Sequence, residues 1–134
     1  MSAQLDLVRR FYDAFLAHDA AAILDLLDPG FEGDVSAGMP GGVGGRHHGA
    51  ETMMREVWIP VFSAYDVRVE AEELLECGDR VVAIGGYRGT ERASGAPFDA
   101  SFAHVLTIGD GRIAALRQIT DTASWPASGA GQAP

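Results

Sequence analysis

The chain has 134 residues, 47% of them hydrophobic, with 19 acidic and 10 basic side chains for a net charge of −9. That length makes one domain with its own core, and no apolar run approaches the ~18 residues of a membrane span. Acidity gives no basic face for nucleic acid, the absence of lysine removes Schiff-base chemistry and a phosphate loop, and the lone Cys77 removes an internal disulfide or a cysteine zinc cluster.

Two further features set expectations. There is no asparagine, hence no N-glycosylation and no asparagine-held catalytic water. The start, Met1-Ser2-Ala3-Gln4-Leu5-Asp6, has neither a basic nor an apolar segment, so the expected location is the cytoplasm. Arginine without lysine, beside abundant alanine and glycine, fits a GC-rich bacterial genome.

Leu5, Val8, Phe11, Tyr12, Phe15 and Leu16 recur at helical spacing and predict a helix over 5–16. Asp19 is placed to cap a second helix over 20–27, which Asp28-Pro29-Gly30 stops. Phe31 to Ser36 alternates as a short strand, and the six glycines within 37–49 predict a flexible loop. Met54, Val57, Trp58, Val61 and Tyr65 share one face of a third helix, with Pro60 expected to kink or shorten it.

From Asp66 the period changes to two. Val67, Val69 and Ala71 alternate with charged residues, Cys77-Gly78-Asp79 turns, and 80–90, 98–108 and 112–121 read as strands, the last two joined by Asp110-Gly111. Residues 125–134 read as a frayed tail, with the domain ending at 125. Helices followed by a strand meander predict an α+β fold, its helices on one face of an antiparallel sheet. The later strands are apolar on both faces, so the outer face is expected to be covered by a second copy in a homodimer.

The segments Val8-Arg9-Arg10-Phe11-Tyr12-Asp13-Ala14-Phe15, Gly78-Asp79-Arg80-Val81-Val82-Ala83 and Ala103-His104-Val105-Leu106 resemble SnoaL-like domains of the nuclear transport factor 2-like superfamily. So does the ending Leu116-Arg117-Gln118-Ile119-Thr120-Asp121. The resemblance spans roughly 5–125. It implies a cone: a curved sheet wrapped round three N-terminal helices, with an interior pocket for a small hydrophobic molecule and often a two-fold dimer through the outer face. Chemistry in this superfamily ranges over cyclisation, isomerisation, hydrolysis and plain binding, so the fold alone decides none of it.

Residue by residue, the ketosteroid isomerase pattern places Asp34 where its base would lie, but Phe11 and Ala103 stand where its oxyanion donors would be. The limonene epoxide hydrolase pattern finds Asp121 and a candidate arginine in Arg88, but Thr90 stands for its other aspartate. The SnoaL-type cyclase pattern needs one carboxylate on the last strand, and Asp121 matches it. If Asp110-Gly111 is a two-residue turn with no later slip, His104 lies opposite Arg117 and shares a face with it, with Asp121, Phe102, Leu106 and Ile119.

Expected catalytic residues are therefore Asp121, His104 and Arg117, and expected substrate contacts are Asp34, Tyr12, Trp58, Phe102, Ile119 and Arg88. Plainer roles stand beside these. Asp121 would cap a terminal turn, Arg117 would pair structurally with His104, Asp34 would be solvated at the pocket mouth, and Tyr12 and Trp58 would be core. His47, His48 and Glu51 lack metal-ligand geometry, so neither metal nor cofactor is expected. Two functions stay open: cofactor-free acid/base catalysis on a hydrophobic oxygenated substrate, or non-catalytic binding of a lipid-like or polyketide-like ligand. An Asp121 that faces solvent favours binding.

Overall fold

A computed structural model describes residues 2–127. Helix α1 (Ala3–Leu16) starts where the Ser2 hydroxyl accepts the amides of Gln4 and Leu5, and it buries Leu7, Val8, Phe11, Tyr12, Ala14 and Phe15. Helix α2 (Ala20–Leu26) is capped by Asp19, whose carboxylate accepts Ala22 N–H at 3.0 Å. The third helical run, α3 (50–64), is α-helical over Ala50–Met53, π-helical over Met54–Trp58 and α-helical again over Ile59–Ala64. Pro60 explains the wide turn. Proline has no N–H and its ring presses on the carbonyl four residues back, and widening the preceding turn relieves that contact while Ile59 N–H bonds Met54 O. The helix continues through the proline instead of ending at it.

The six strands are β1 (Leu27–Val35), β2 (Gly45–His48), β3 (Tyr65–Cys77), β4 (Arg80–Glu91), β5 (Pro97–Gly109) and β6 (Arg112–Thr120). They form one curved, open sheet in the order β2-β1-β6-β5-β4-β3. Pairing is antiparallel except that β1 runs parallel to β6, which makes the sheet mixed where an antiparallel one was expected. The short β2 lies inside the glycine-rich segment read as loop, paired to β1 from Glu32↔His48 to Val35↔Gly45.

Helices α1 and α3 lie on the concave face, and the core sits between them and the sheet. α3 comes very close to β1: a Cβ at Gly33 would meet the Met53 sulfur at 2.5 Å. The alternation read from the sequence holds on β4 and β5, with Val81, Ala83, Tyr87, Ala100, Phe102, His104 and Leu106 all turned inward and buried. The result is the α+β cone the resemblance implied. No described helix is long and apolar enough to cross a membrane.

Two expectations need correction. The Asp110-Gly111 turn forms, with φ of 52° and 76°, and pairs Gly109↔Arg112 and Ile108↔Ile113 as expected. Ala114 is then an extra residue on β6, and beyond it Thr107 pairs with Ala115, Val105 with Arg117 and His104 with Gln118. That one-residue slip turns Arg117 and Ile119 to the outer face. The second concerns Trp125, read as part of a frayed tail. It is 4% exposed, packs on Tyr65, Tyr87 and Phe98 at centroid distances of 5.1, 4.9 and 4.8 Å, and is held in place as Tyr65 Oη donates to Pro126 O at 2.6 Å. The rest of the expected tail, 128–134, lies outside the described residues.

Candidate functional site

The cone holds a narrow cavity of about 30 Å³, walled by α1, α3, the inner face of the sheet and Trp125. Phe11, Phe15, Met53, Val57, Trp58, Val69 and Leu116 make most of the wall apolar, and Met39 from the glycine-rich segment contributes to it. Besides the indole N–H groups of Trp58 and Trp125, its polar side chains are Tyr12, Tyr87, His104 and Gln118, and no carboxylate or arginine lines it.

These four groups form one chain of hydrogen bonds. The Tyr12 hydroxyl lies 2.7 Å from His104 Nδ1 and the Tyr87 hydroxyl 2.6 Å from His104 Nε2. Gln118 Nε2 donates to the Tyr87 oxygen at 3.0 Å, and its Oε1 accepts Ser36 N–H at 3.1 Å. Ser36 in turn donates its hydroxyl to Gln118 O at 2.9 Å, which ties β1 to β6 at this point. Phe102 does not line the cavity but stacks on the imidazole with centroids 3.9 Å apart, fixing the ring plane.

Burial sets the protonation states. His104 is 3% exposed, and desolvation pushes its pKa down to about 3, so the imidazole is neutral at ordinary pH. Burial raises Tyr12 well above the usual phenol value, with the neighbouring Tyr87 adding to the rise. Tyr87 is also raised by burial, against the opposing effect of the Gln118 bond. The site is thus a neutral polar cluster in an aromatic box, able to orient an oxygen and to pass protons along a neutral chain.

Of the residues expected at the site, His104, Tyr12 and Trp58 line the cavity, and Phe102 supports it. The others lie elsewhere. Asp121 is exposed, outside the lining, and its carboxylate accepts the Ser124 hydroxyl at 2.7 Å just ahead of the turn Thr122–Ser124. Arg117 is exposed on the outer face, level with a half-buried Asp34 in the β1–β6 pair. Ile119 is 45% exposed on the same face. Arg88 is held there by Glu70, Glu72 and Asp99 at 2.8, 3.1 and 3.2 Å. The structure therefore does not bring Arg117 or Asp121 to His104.

Tyr87, Gln118 and Trp125 are the site residues that sequence reasoning missed. Tyr87 was legible, since it continues the inward alternation Val81, Ala83, Gly85. Gln118 was hidden behind the Ala114 slip. His47 bonds Glu56 and Val43 O, and His48 bonds Glu32, at 2.9, 2.8 and 2.6 Å. No three potential ligand side chains gather round an ion site among the described residues.

Comparison with known proteins supplies the family. The model of the SnoaL-like domain matches residues 8–116. The chain is 30% identical to an NTF2-like protein of Burkholderia thailandensis, over 92% of this chain and 95% of that one, with a TM-score of 0.84. It is 30% identical to an NTF2-like protein of unknown function from Burkholderia pseudomallei, over 92% and 94%, with a TM-score of 0.83. It is 29% identical to TerC, solved in co-crystals with polyporic acid, over 91% and 94%, with a TM-score of 0.82. No curated protein matches the chain. With the family model matching most of its length and a 30% identical structure sharing its fold, the chain belongs to the SnoaL-like family of the nuclear transport factor 2-like superfamily.

Proposed function

We propose that this protein binds a hydrophobic, oxygen-bearing organic molecule inside the cone, with no cofactor. One observation carries the reading: an aromatic cavity into which Tyr12, His104, Tyr87 and Gln118 bring one bonded polar cluster. The similar TerC was crystallised with a small organic molecule, polyporic acid, which supports the same reading. Binding is preferred to catalysis because Asp121, the expected proton-transfer group, is exposed and bonded to Ser124.

Acid/base catalysis of cyclase, isomerase or hydrolase type is the second reading, favoured by the two short tyrosine–imidazole bonds. In it His104 moves the proton. Its conjugate acid is too strong to persist, so the imidazole would exchange tautomers and would not hold charge. Two settings belong to the proposal. The outer face exposes Ile84 and Ile119 beside Val82, Ala103 and Val105, which supports a two-fold dimer through it. The Burkholderia relatives and the single, exposed Cys77 support a bacterial cytoplasmic protein.

The test is a thermal-shift and ¹⁵N-NMR screen of hydrophobic ketones, epoxides and steroid enones. A ligand should perturb the amides of Tyr12, Trp58, Tyr87 and Gln118 first. Perturbation confined to residues outside the cavity, or no binding across the panel, refutes the reading.

A further inference from the structure

The hydrogen-bonded cluster has more hydrogens than it has bonds to make. Tyr12 and Tyr87 each carry one hydroxyl hydrogen, neutral His104 one N–H, and Gln118 two amide hydrogens, five in all. Internal bonding uses three: one between Tyr12 and His104, one between His104 and Tyr87, and one from Gln118 to Tyr87. Among the described residues no bond consumes the remaining two. One is the second amide hydrogen of Gln118. The other belongs to the triad, and the imidazole tautomer decides where it sits. With the proton on Nδ1, His104 donates to Tyr12, Tyr87 donates to Nε2, and the free hydroxyl hydrogen is on Tyr12. With the proton on Nε2 the pattern reverses and the free hydrogen is on Tyr87.

We infer that this cluster is a donor-surplus recognition site: it takes a neutral molecule by a carbonyl-type acceptor oxygen, and the His104 tautomer selects which tyrosine donates to it. The inference rests on the binding reading above and narrows its ligand. An ionised carboxylate would also accept these hydrogens, but it would lose its hydration in a cavity whose lining holds no cation. A hydrocarbon would leave both hydrogens without an acceptor in an enclosed site. A ketone satisfies them at no cost in charge.

The probes are acetophenone, ethylbenzene and benzoate, matched in shape and titrated separately into the ¹⁵N-labelled protein. In a cavity without donors ethylbenzene binds more tightly, because burying a carbonyl with no hydrogen-bond partner is unfavourable. The expected order is acetophenone tighter than ethylbenzene, with benzoate undetected at the concentrations that saturate the ketone. Ethylbenzene or benzoate binding more tightly than acetophenone overturns the inference while leaving the binding reading standing. Failure of all three to perturb the cavity overturns both.

Tyr12→Phe and Tyr87→Phe test the sharing. Tyr12→Phe removes one hydrogen and one internal bond, and Tyr87→Phe one hydrogen and two internal bonds, so a surplus persists in both, on the other hydroxyl, the imidazole N–H or the Gln118 amide. Acetophenone should stay ahead of ethylbenzene in both variants, and reversal in either shows one fixed donor and refutes tautomer selection. The ¹⁵N shifts of His104 give a readout that mere packing would not move. Ketone binding should change the ratio of its two neutral tautomers in the wild type, and an unchanged ratio refutes the selection.

Discussion

Acid should weaken this fold through His104 in a way that one substitution can isolate. In the unfolded chain its imidazole titrates near 6.5; in the native cluster burial lowers it to about 3. A depressed folded pKa means the unfolded state takes up a proton that the native state refuses. Between pH 6.5 and about 3 the unfolding free energy therefore falls with falling pH, by about 1.4 kcal/mol per unit. Above pH 6.5 the group is neutral in both states and contributes no slope. From pH 7 to pH 5 the loss comes to about 2 kcal/mol, a large share of the roughly 5–15 kcal/mol that holds a domain together.

His104→Gln keeps a polar, hydrogen-bonding side chain of similar reach and cannot titrate. Urea unfolding of both proteins at pH 7, 6 and 5 should show the wild type losing about 2 kcal/mol more than the variant over that range. Every other ionisable side chain is common to both proteins, so its contribution cancels in the difference. Tyr12, Tyr87 and Gln118, which face the imidazole, do not titrate in this window. Equal pH slopes would refute the neutral, desolvated imidazole and the hydrogen inventory built on it.

Asp121→Asn should leave stability within about 0.5 kcal/mol, since the exposed side chain accepts the Ser124 hydroxyl and an amide oxygen accepts it too, and should leave ligand affinity within about threefold in the same titrations. A larger loss of affinity, or loss of a turnover found with any screened substrate, would return Asp121 to the site. Ile84→Glu combined with Ile119→Arg places charge on the exposed outer face; sedimentation should show a wild-type dimer and a monomeric variant. A wild-type monomer at micromolar concentration would refute the pairing.

Much of this architecture was legible because periodicity survives in the sequence. The stripe Val8, Phe11, Tyr12, Phe15 and the capping Asp19 gave the first helices, and alternation through Val67–Ala71 and Phe102–Ile108 gave the long strands. The site was legible only in part. His104 and Tyr12 sit on regular elements where spacing fixes direction. Gln118 and Arg117 lie beyond Ala114, and an alanine bulge has no composition to betray it: alanine fits a bulge, a strand or a helix equally well. The slip exchanged the inward Gln118 for the expected Arg117 and, with it, a neutral site for a charged one. The β2 edge, made of Gly45, Arg46, His47 and His48, lacks apolar alternation because it buries little side chain. Trp125 was misjudged because small and proline-containing neighbours outweighed the one large ring among them.

The chain contains two tryptophans, Trp58 from α3 and Trp125 from the segment after β6, and both are cavity wall. Nearly all of the indole emission thus originates within contact distance of whatever occupies the cone. Trp58 stands beside Phe11, Phe15 and Phe31, with centroids 6.1, 5.2 and 6.0 Å away, while Trp125 donates its indole N–H to Thr120 at 3.2 Å. An incoming molecule changes the polarity around both fluorophores at once, with no third tryptophan on the surface to dilute the signal. Ordinary ultraviolet fluorescence therefore serves as a label-free gauge of occupancy. Trp58→Phe and Trp125→Phe then separate the signal of the α3 wall from that of the segment after β6.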